Sequence, residues 1–358
     1  MRLRIFADPL LLLSYILGSC LSLAMLISIS PDRFLQQAIV LVVGLFLLFY
    51  LSKQEESVYK SFALIGYLGS LIILLITILF ASTTRGTLSW IDVAGFRFQP
   101  SELTKPFLIL SFASLLERFP PKTLINIIIN CLSFIIPAAL IMLQPDLGTT
   151  LVITAIWLAQ IFIAGIPWHY LLLGSLLVLI SLPHVYSNLH DYQVGRLTTF
   201  LDPFADPLGS GYNVIQSMIA VGSGGILGKG LGQGTQSHLR FLPERHTDFA
   251  FASIAEELGL LGSLAILGVM ATFIFRLLHF MTQAESGHSR TILSGSLAYF
   301  IFQSLVNIGM NIGVAPVTGI TLPLISYGGS SILATAMILG LSSSVINGAK
   351  HRRLLEIR

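Results

Sequence analysis

Long apolar runs with almost no charge alternate with short polar breaks along most of the chain. Pro9–Ser30, Gln36–Ser52, Ser61–Ser82, Thr123–Leu143, Gly148–Ile166 and Pro167–Tyr186 read as spans, each near the ~20 apolar residues that cross a bilayer as a helix. After a long polar interval the pattern resumes with Phe249–Phe275, Thr291–Val314 and Leu322–Ile346. A shorter run, Leu103–Leu116, carries Lys105 near its start, and counting it gives ten. The pattern predicts an all-α polytopic membrane protein with ten transmembrane helices, a single domain over residues 1–358.

Composition narrows the class. Of 358 residues 54% are hydrophobic and 10% charged, against about 25% charged in a soluble domain, and the mean hydropathy is +0.84. These values exclude a soluble globular enzyme, a nucleic-acid binder and a disordered scaffold. The net charge of +3 comes with no basic patch, so no nucleic-acid partner is expected. Cys20 and Cys131 both lie in apolar runs, which argues against a disulfide pair or a metal cluster. No signal peptide is expected, because the first apolar run is too long and leads straight into further spans.

Charge then orients the spans. With ten, both termini share a side that receives Arg2, Arg4, Lys53, Lys60, Arg118, Lys122, Arg276, Arg290, Lys350, Arg352, Arg353 and Arg358, twelve of the twenty basic residues. The short loops opposite hold Arg33, Arg85 and Arg97. By the positive-inside rule both termini are cytoplasmic. Asp32, Asp92, Glu102, Asp146, Asp191, Asp202, Asp206, Glu244 and Asp248 fall outside or at the outer boundary. The outer loop, about residues 187–248, is too long for a bare linker. Apolar residues recur through it, which suggests re-entrant or interfacial helices packed on protein. No internal repeat is visible, which weakens an inverted-repeat transporter.

Several polar groups stand where they are costly. Thr83–Glu102, with alternating aromatics, suggests a folded, membrane-skimming loop, either an interfacial anchor or part of a site. Pro100-Ser101 reads as a helix start capped by Ser101, with Glu102 and Lys105 paired at i and i+3. In Gln144–Thr149, Asp146 either caps the next helix or faces the same outer site as Glu102. Glu244, Arg245, His246 and Asp248 crowd the mouth of Phe249–Phe275. There Thr247 or Asp248 can serve as a cap. Inside that run, Glu256 and Glu257 are either a functional pair or partners of a basic group on a neighbouring span. Gly209–Gly234, with Lys229, offers either backbone N–H groups to an anion or a plain re-entrant turn; it lacks the phosphate-loop spacing. The glycines and prolines of Gly313–Ser331 break the helical pattern and open a polar cleft.

These strings resemble the SEDS family of bacterial cell-wall proteins. The resemblance is carried by Arg85–Trp90, Gln99–Glu102, Gln144–Thr149, Tyr212–Ser217, Val221–Gly230, Phe241–Glu257 and Val314–Ser331, in one order over most of the chain. Phe241–Phe249 and the short termini are more similar to RodA, the elongation branch, than to FtsW, the division branch. The resemblance implies ten spans in the cytoplasmic (inner) membrane and a peptidoglycan glycosyltransferase that polymerises lipid II at the outer face. It also implies partnership with a class B penicillin-binding protein and other elongation-complex membrane proteins. The family's catalytic aspartate falls on Asp248.

A sugar hydroxyl attacking an anomeric carbon needs a base, and Asp248 is the candidate. A helix N-terminus lowers a carboxylate pKa while desolvation raises it, so a metal-holding or orienting role stays open. The departing pyrophosphate needs positive charge, from Arg85, Lys105, Arg196, Lys229 or Arg245, or from a divalent cation such as Mg or Mn. Glu102 and Asp146 complete the candidate substrate-binding set. The rival readings are a lipid II flippase, which needs polar groups through the full membrane depth, and a non-catalytic scaffold for the penicillin-binding protein.

Overall fold

The computed structural model describes residues 8–84, 87–93, 96–187 and 191–356. The described helices are α1 (Pro9–Ile29), α2 (Phe34–Ser52), α3 (Glu56–Phe80), α4 (Pro100–Arg118), α5 (Leu124–Met142), α6 (Leu147–Ile163) and α7 (Trp168–Ser187). They continue with α8 (Asp191–Leu201), α9 (Tyr212–Ser223), α10 (Thr235–His238), α11 (Ala250–Gln283), α12 (Gly287–Asn311) and α13 (Gly329–Glu356). Seven are long and apolar enough to cross a bilayer, namely α1, α2 with the short turn before it, α3, α5, α11, α12 and α13. Leu147–Ile163 and Trp168–Leu177 are shorter apolar stretches. The chain is a helical multi-pass membrane protein.

The all-α expectation needs one amendment. Between α3 and α4 the chain forms a three-stranded antiparallel sheet, β1 (Ser82–Thr84), β2 (Thr87–Val93) and β3 (Phe96–Phe98), with Ile91 opposite Phe98 and Asp92 opposite Arg97. Thr, Trp, Ile, Val and Phe fit a pleated surface better than a helix. Ser89 donates to the Gln144 carbonyl (3.4 Å), and Gln144 donates to Leu74 O (3.1 Å), so the sheet is tied through the turn after α5 to α3.

Helices α12 and α13 form the centre, α13 packing along α2 and α12 along α6 and α11. Small residues permit close approach: a Cβ on Gly340 would lie 2.8 Å from Leu51 Cβ and 3.0 Å from the Leu48 carbonyl. α1 lies against α11, with Ser28 bonded to Glu257 at one end and Asp8 paired with Arg276 at the other. The doubtful run Leu103–Leu116 is the middle of a 19-residue helix, α4, whose charged residues lower its hydropathy although it is largely buried.

The run Phe249–Phe275 departs furthest from expectation. Gly259 has φ 65° and ψ −153°, which breaks α11 into a short first segment and a long second one. The glycine-rich stretch wraps this break: Leu260 N donates to Gly225 O (2.9 Å) and Gly230 N to Glu257 O (2.9 Å). A Cβ on Gly224 would stand 1.9 Å from Ala255 O, and one on Gly228 2.1 Å from Glu257 O. Close backbone packing is therefore what these two glycines serve.

Candidate active site

Asp248 lies in the turn that precedes α11, half-buried. Neither it nor Thr247 caps the helix: the N-cap is Phe249, without a side-chain hydrogen bond, while Thr247 Oγ1 donates to Glu244 Oε2 (2.9 Å). The segment is pinned by the irregular stretch 312–328 that joins α12 to α13. Ser326 Oγ donates to Thr247 O (2.7 Å) and Tyr327 N to His246 O (2.8 Å). Gly319, whose φ of 74° favours glycine, lies beside the carboxylate, its Cβ position 4.0 Å from Asp248 Oδ2. From α12, Asn307 and Asn311 both donate to the Asp248 carbonyl, at 3.1 and 3.0 Å.

The same irregular stretch gathers other groups. Arg196, on α8, donates to Thr318 O (3.4 Å), and Gly148 at the start of α6 abuts that carbonyl. Tyr327 OH donates to Gln36 Oε1 (2.6 Å), and the Arg33 guanidinium lies 4.9 Å from its ring centroid. His246 packs against the same tyrosine, with its ring centroid 5.6 Å from that of Tyr327. Burial, reinforced by Arg33, pushes the His246 pKa down to about 4. Arg245 donates to Ile29 O (3.1 Å), and burial together with Arg240 lowers its pKa. Burial raises the Tyr327 phenol.

Asp146 caps α6, accepting from Thr149 N (2.9 Å), and also accepts from Gln99 Nε2 (3.0 Å) and Ser101 Oγ (3.4 Å). It thereby staples the start of α4 to the start of α6. Ser101 is inside α4, whose N-cap is Gln99, so the expected Ser101 cap is replaced by this contact. Glu102 and Lys105 form a buried pair, with the ammonium 5.8 Å from the Tyr299 ring centroid. Burial this deep removes the pair from an interfacial-anchor role.

Lys229 stands apart from this group. It pairs with Glu256 (2.9 Å), whose carboxylate also accepts from Thr235 Oγ1, Gln236 N, Ser237 N and Ser237 Oγ. Glu257 accepts from Ser28 (2.6 Å) and contacts His238 (3.1 Å). α11 begins at Ala250, so Glu256 lies six residues into the helix, about 9 Å along its axis at 1.5 Å per residue and away from the turn that carries Asp248. Glu256 is thus paired with a basic group, though one from the glycine-rich stretch and not from a neighbouring span, while Glu257 meets Ser28 of α1 and His238 of α10. Arg85 lies outside the described residues. Among the described residues no group of three or more His, Cys, Asp or Glu could hold a metal ion. The positive charge around the 246–248 turn comes from Arg33, Arg196 and Arg245.

Tyr327 falls in the Gly313–Ser331 stretch that the sequence marks as a polar cleft, whereas Arg33, Gln36, Asn307 and Asn311 are site neighbours that the sequence reading does not single out. The two asparagines carried a usable signal, since polar amides four residues apart in an apolar span are costly unless they serve a partner.

A bundle of apolar helices with a half-buried carboxylate in the turn before α11, and arginines on the neighbouring segments, defines a membrane protein with a polar site. The chain belongs to the FtsW/RodA/SpoVE family of cell cycle proteins, whose family model matches residues 8–351. It is 38% identical over 318 residues to the peptidoglycan glycosyltransferase MrdB of Escherichia coli K12, covering 88% of this chain and 85% of that protein. Among solved structures it is similar to a chain from a peptidoglycan synthase complex studied for the coordination of polymerization and crosslinking. That match has a TM-score of 0.82 and 35% identity, covering 96% of this chain and 98% of the other. The rod shape determining protein RodA of Thermus thermophilus matches with a TM-score of 0.73 and 29% identity, over 97% and 98% of the two chains.

Proposed function

We propose that this chain is a peptidoglycan glycosyltransferase of the elongation type that polymerises lipid II. It acts as one domain of ten spans in the cytoplasmic membrane, α1–α7, the second segment of α11, α12 and α13. Both termini are cytoplasmic, and the Asp248 turn opens outside. The naming of similar proteins as peptidoglycan glycosyltransferases supports the activity, and the basic bias of the opposite loops supports the orientation. Similarity to a chain of a peptidoglycan synthase complex supports a class B penicillin-binding protein as partner.

The observation that carries the reading is the half-buried Asp248 turn, its backbone held by Asn307 and Asn311 of α12 on one side and by Ser326 and Tyr327 on the other, with Arg245 in the turn itself and Arg33 and Arg196 against Tyr327 and Thr318 of that same stretch. In the reaction the acceptor sugar hydroxyl attacks the donor's anomeric carbon. Asp248 takes the hydroxyl proton, and the lipid pyrophosphate departs with the bonding electrons. The arginines offset its negative charge. Asp146 holds the wall of the site by fixing the start of α4 against the start of α6, while the buried Glu102–Lys105 pair faces Tyr299 of α12.

The test is polymerisation of lipid II by the purified protein, alone and with its penicillin-binding partner. Asp248→Asn keeps size and hydrogen-bonding capacity but cannot take a proton, so the rate should fall by about 10²–10⁴-fold at normal expression and partner binding. A near-normal rate would remove Asp248 as the base. Polymer formed from freely accessible substrate separates this reading from a flippase or a scaffold.

A further inference from the structure

Asn307 and Asn311 lie one turn apart on α12, both fully buried. Their amides converge on one backbone atom, the carbonyl oxygen of Asp248, at 3.1 and 3.0 Å. Asn311 does more. Its Oδ1 accepts from Ala252 N (3.0 Å) while its Nδ2 donates to Asp248 O. In a regular α-helix the N–H of residue 252 donates directly to the carbonyl of residue 248. Here a side-chain amide stands between the two, so it satisfies both groups and keeps Asp248 outside the helix.

Asn311 is itself held. Ser217 on α9 donates to its backbone carbonyl (2.9 Å), and its Nδ2 also donates to Asn307 O (2.7 Å). Asn307 divides its donors between Asp248 O and Ile320 O (2.7 Å). Ile320 follows Gly319, the residue beside the Asp248 carboxylate. The two asparagines thus fix the aspartate's backbone and the neighbouring loop from a single rigid helix.

From this geometry we infer that Asn311, assisted by Asn307, is a positioning residue for the reaction. By splitting the first turn of α11 it sets the direction in which the Asp248 carboxylate leaves the backbone. Without the wedge, Ala252 N and Asp248 O can close on each other, drawing residue 248 into the helix and swinging its side chain. This inference rests on Asp248 being the base.

Asn311→Asp keeps the acceptor for Ala252 N and loses the donor to Asp248 O; Asn311→Ala loses both. Initial rates of lipid II polymerisation are measured against substrate concentration, with the thermal midpoint of each purified variant. A displacement near 1 Å can cost about 10²-fold in rate. Both variants should therefore lose about 10–10²-fold in kcat, with KM within about twofold. In an Asp248→Asn background the same changes should cost less than about twofold further, because there is no base left to misplace. A folded Asn311 variant with unchanged kcat, a loss confined to KM, or an equal loss in the Asp248→Asn background would each overturn the positioning role. Should the Asn311 variants not fold, Asn307→Asp is judged by the same criteria. A fully active Asp248→Asn protein would instead sink the base assignment, which is a separate failure.

Discussion

Gly259→Ala tests the break in α11 directly. At φ 65° and ψ −153° the residue occupies backbone territory that side chains avoid, at a cost of about 1–3 kcal/mol. The added Cβ would also stand 2.3 Å from Gly228 N and 2.6 Å from Ile226 O. Both are backbone atoms, so no rotamer change relieves the clash. The 226–228 segment would have to retreat, and the bond from Leu261 N to Ile226 O would go with it. Overpacking of this kind adds about 1–3 kcal/mol, giving a destabilisation of about 2–6 kcal/mol. At roughly 2 °C per kcal/mol for a protein of this size, the thermal midpoint in detergent should drop by about 4–12 °C. Gly268→Ala is the control. It lies in the long second segment, nothing stands within 4 Å of its Cβ position, and alanine should stabilise the helix by about 0.5–1 kcal/mol. If Gly259→Ala melts with the Gly268→Ala protein, the backbone break is not a requirement of the fold and the account of the glycine-rich wrap fails with it.

Three other outcomes follow from the same contacts. His246 in the unfolded chain takes up a proton near pH 6.5, whereas its folded pKa is about 4. The unfolded state therefore binds more protons between those values, and stability should fall on acidification from pH 6.5 to 4 by about 2–3 kcal/mol. His246→Gln should flatten that part of a midpoint-against-pH curve, and an unaltered slope would contradict the assignment. Lys229→Met should lower stability by about 1–3 kcal/mol, discounted for the partial exposure of the lysine, by leaving Glu256 short of its cation. The KM for lipid II should not change; a raised KM at unchanged stability would return Lys229 to pyrophosphate binding. With Cys20 and Cys131 replaced by serine, an impermeant thiol reagent outside the cell should label Asn188→Cys and spare Glu285→Cys. The opposite pattern would invert the proposed orientation.

The spans were legible because a bilayer demands a length, and apolar length is written plainly in a sequence. Apolar length does not report the backbone break inside Phe249–Phe275, since one glycine hardly interrupts an apolar run; only the positive φ and the packing of Gly224 and Gly228 on that backbone reveal it. Asp248 and the crowding of ionisable groups before α11 could be read as chemistry, and Glu102–Lys105 as a pair from its i, i+3 spacing. Arg33 could not, because its approach to the site runs through Tyr327, almost 300 positions along the chain. The buried polar residues of the spans hold a rule that sequence reading can use. In hydrocarbon every backbone N–H and carbonyl left unpaired needs a partner, so an irregular segment at that depth requires polar side chains from the helices around it. Asn307 and Asn311 answer the carbonyls of Asp248 and Ile320, Glu256 answers the N–H groups of Gln236 and Ser237, and Gln37 answers the carbonyl of Ser326. Asn307, Asn311 and Gln37, polar residues that an apolar run can ill tolerate, thus point to non-helical backbone elsewhere in the chain, and it is that backbone which carries the candidate site.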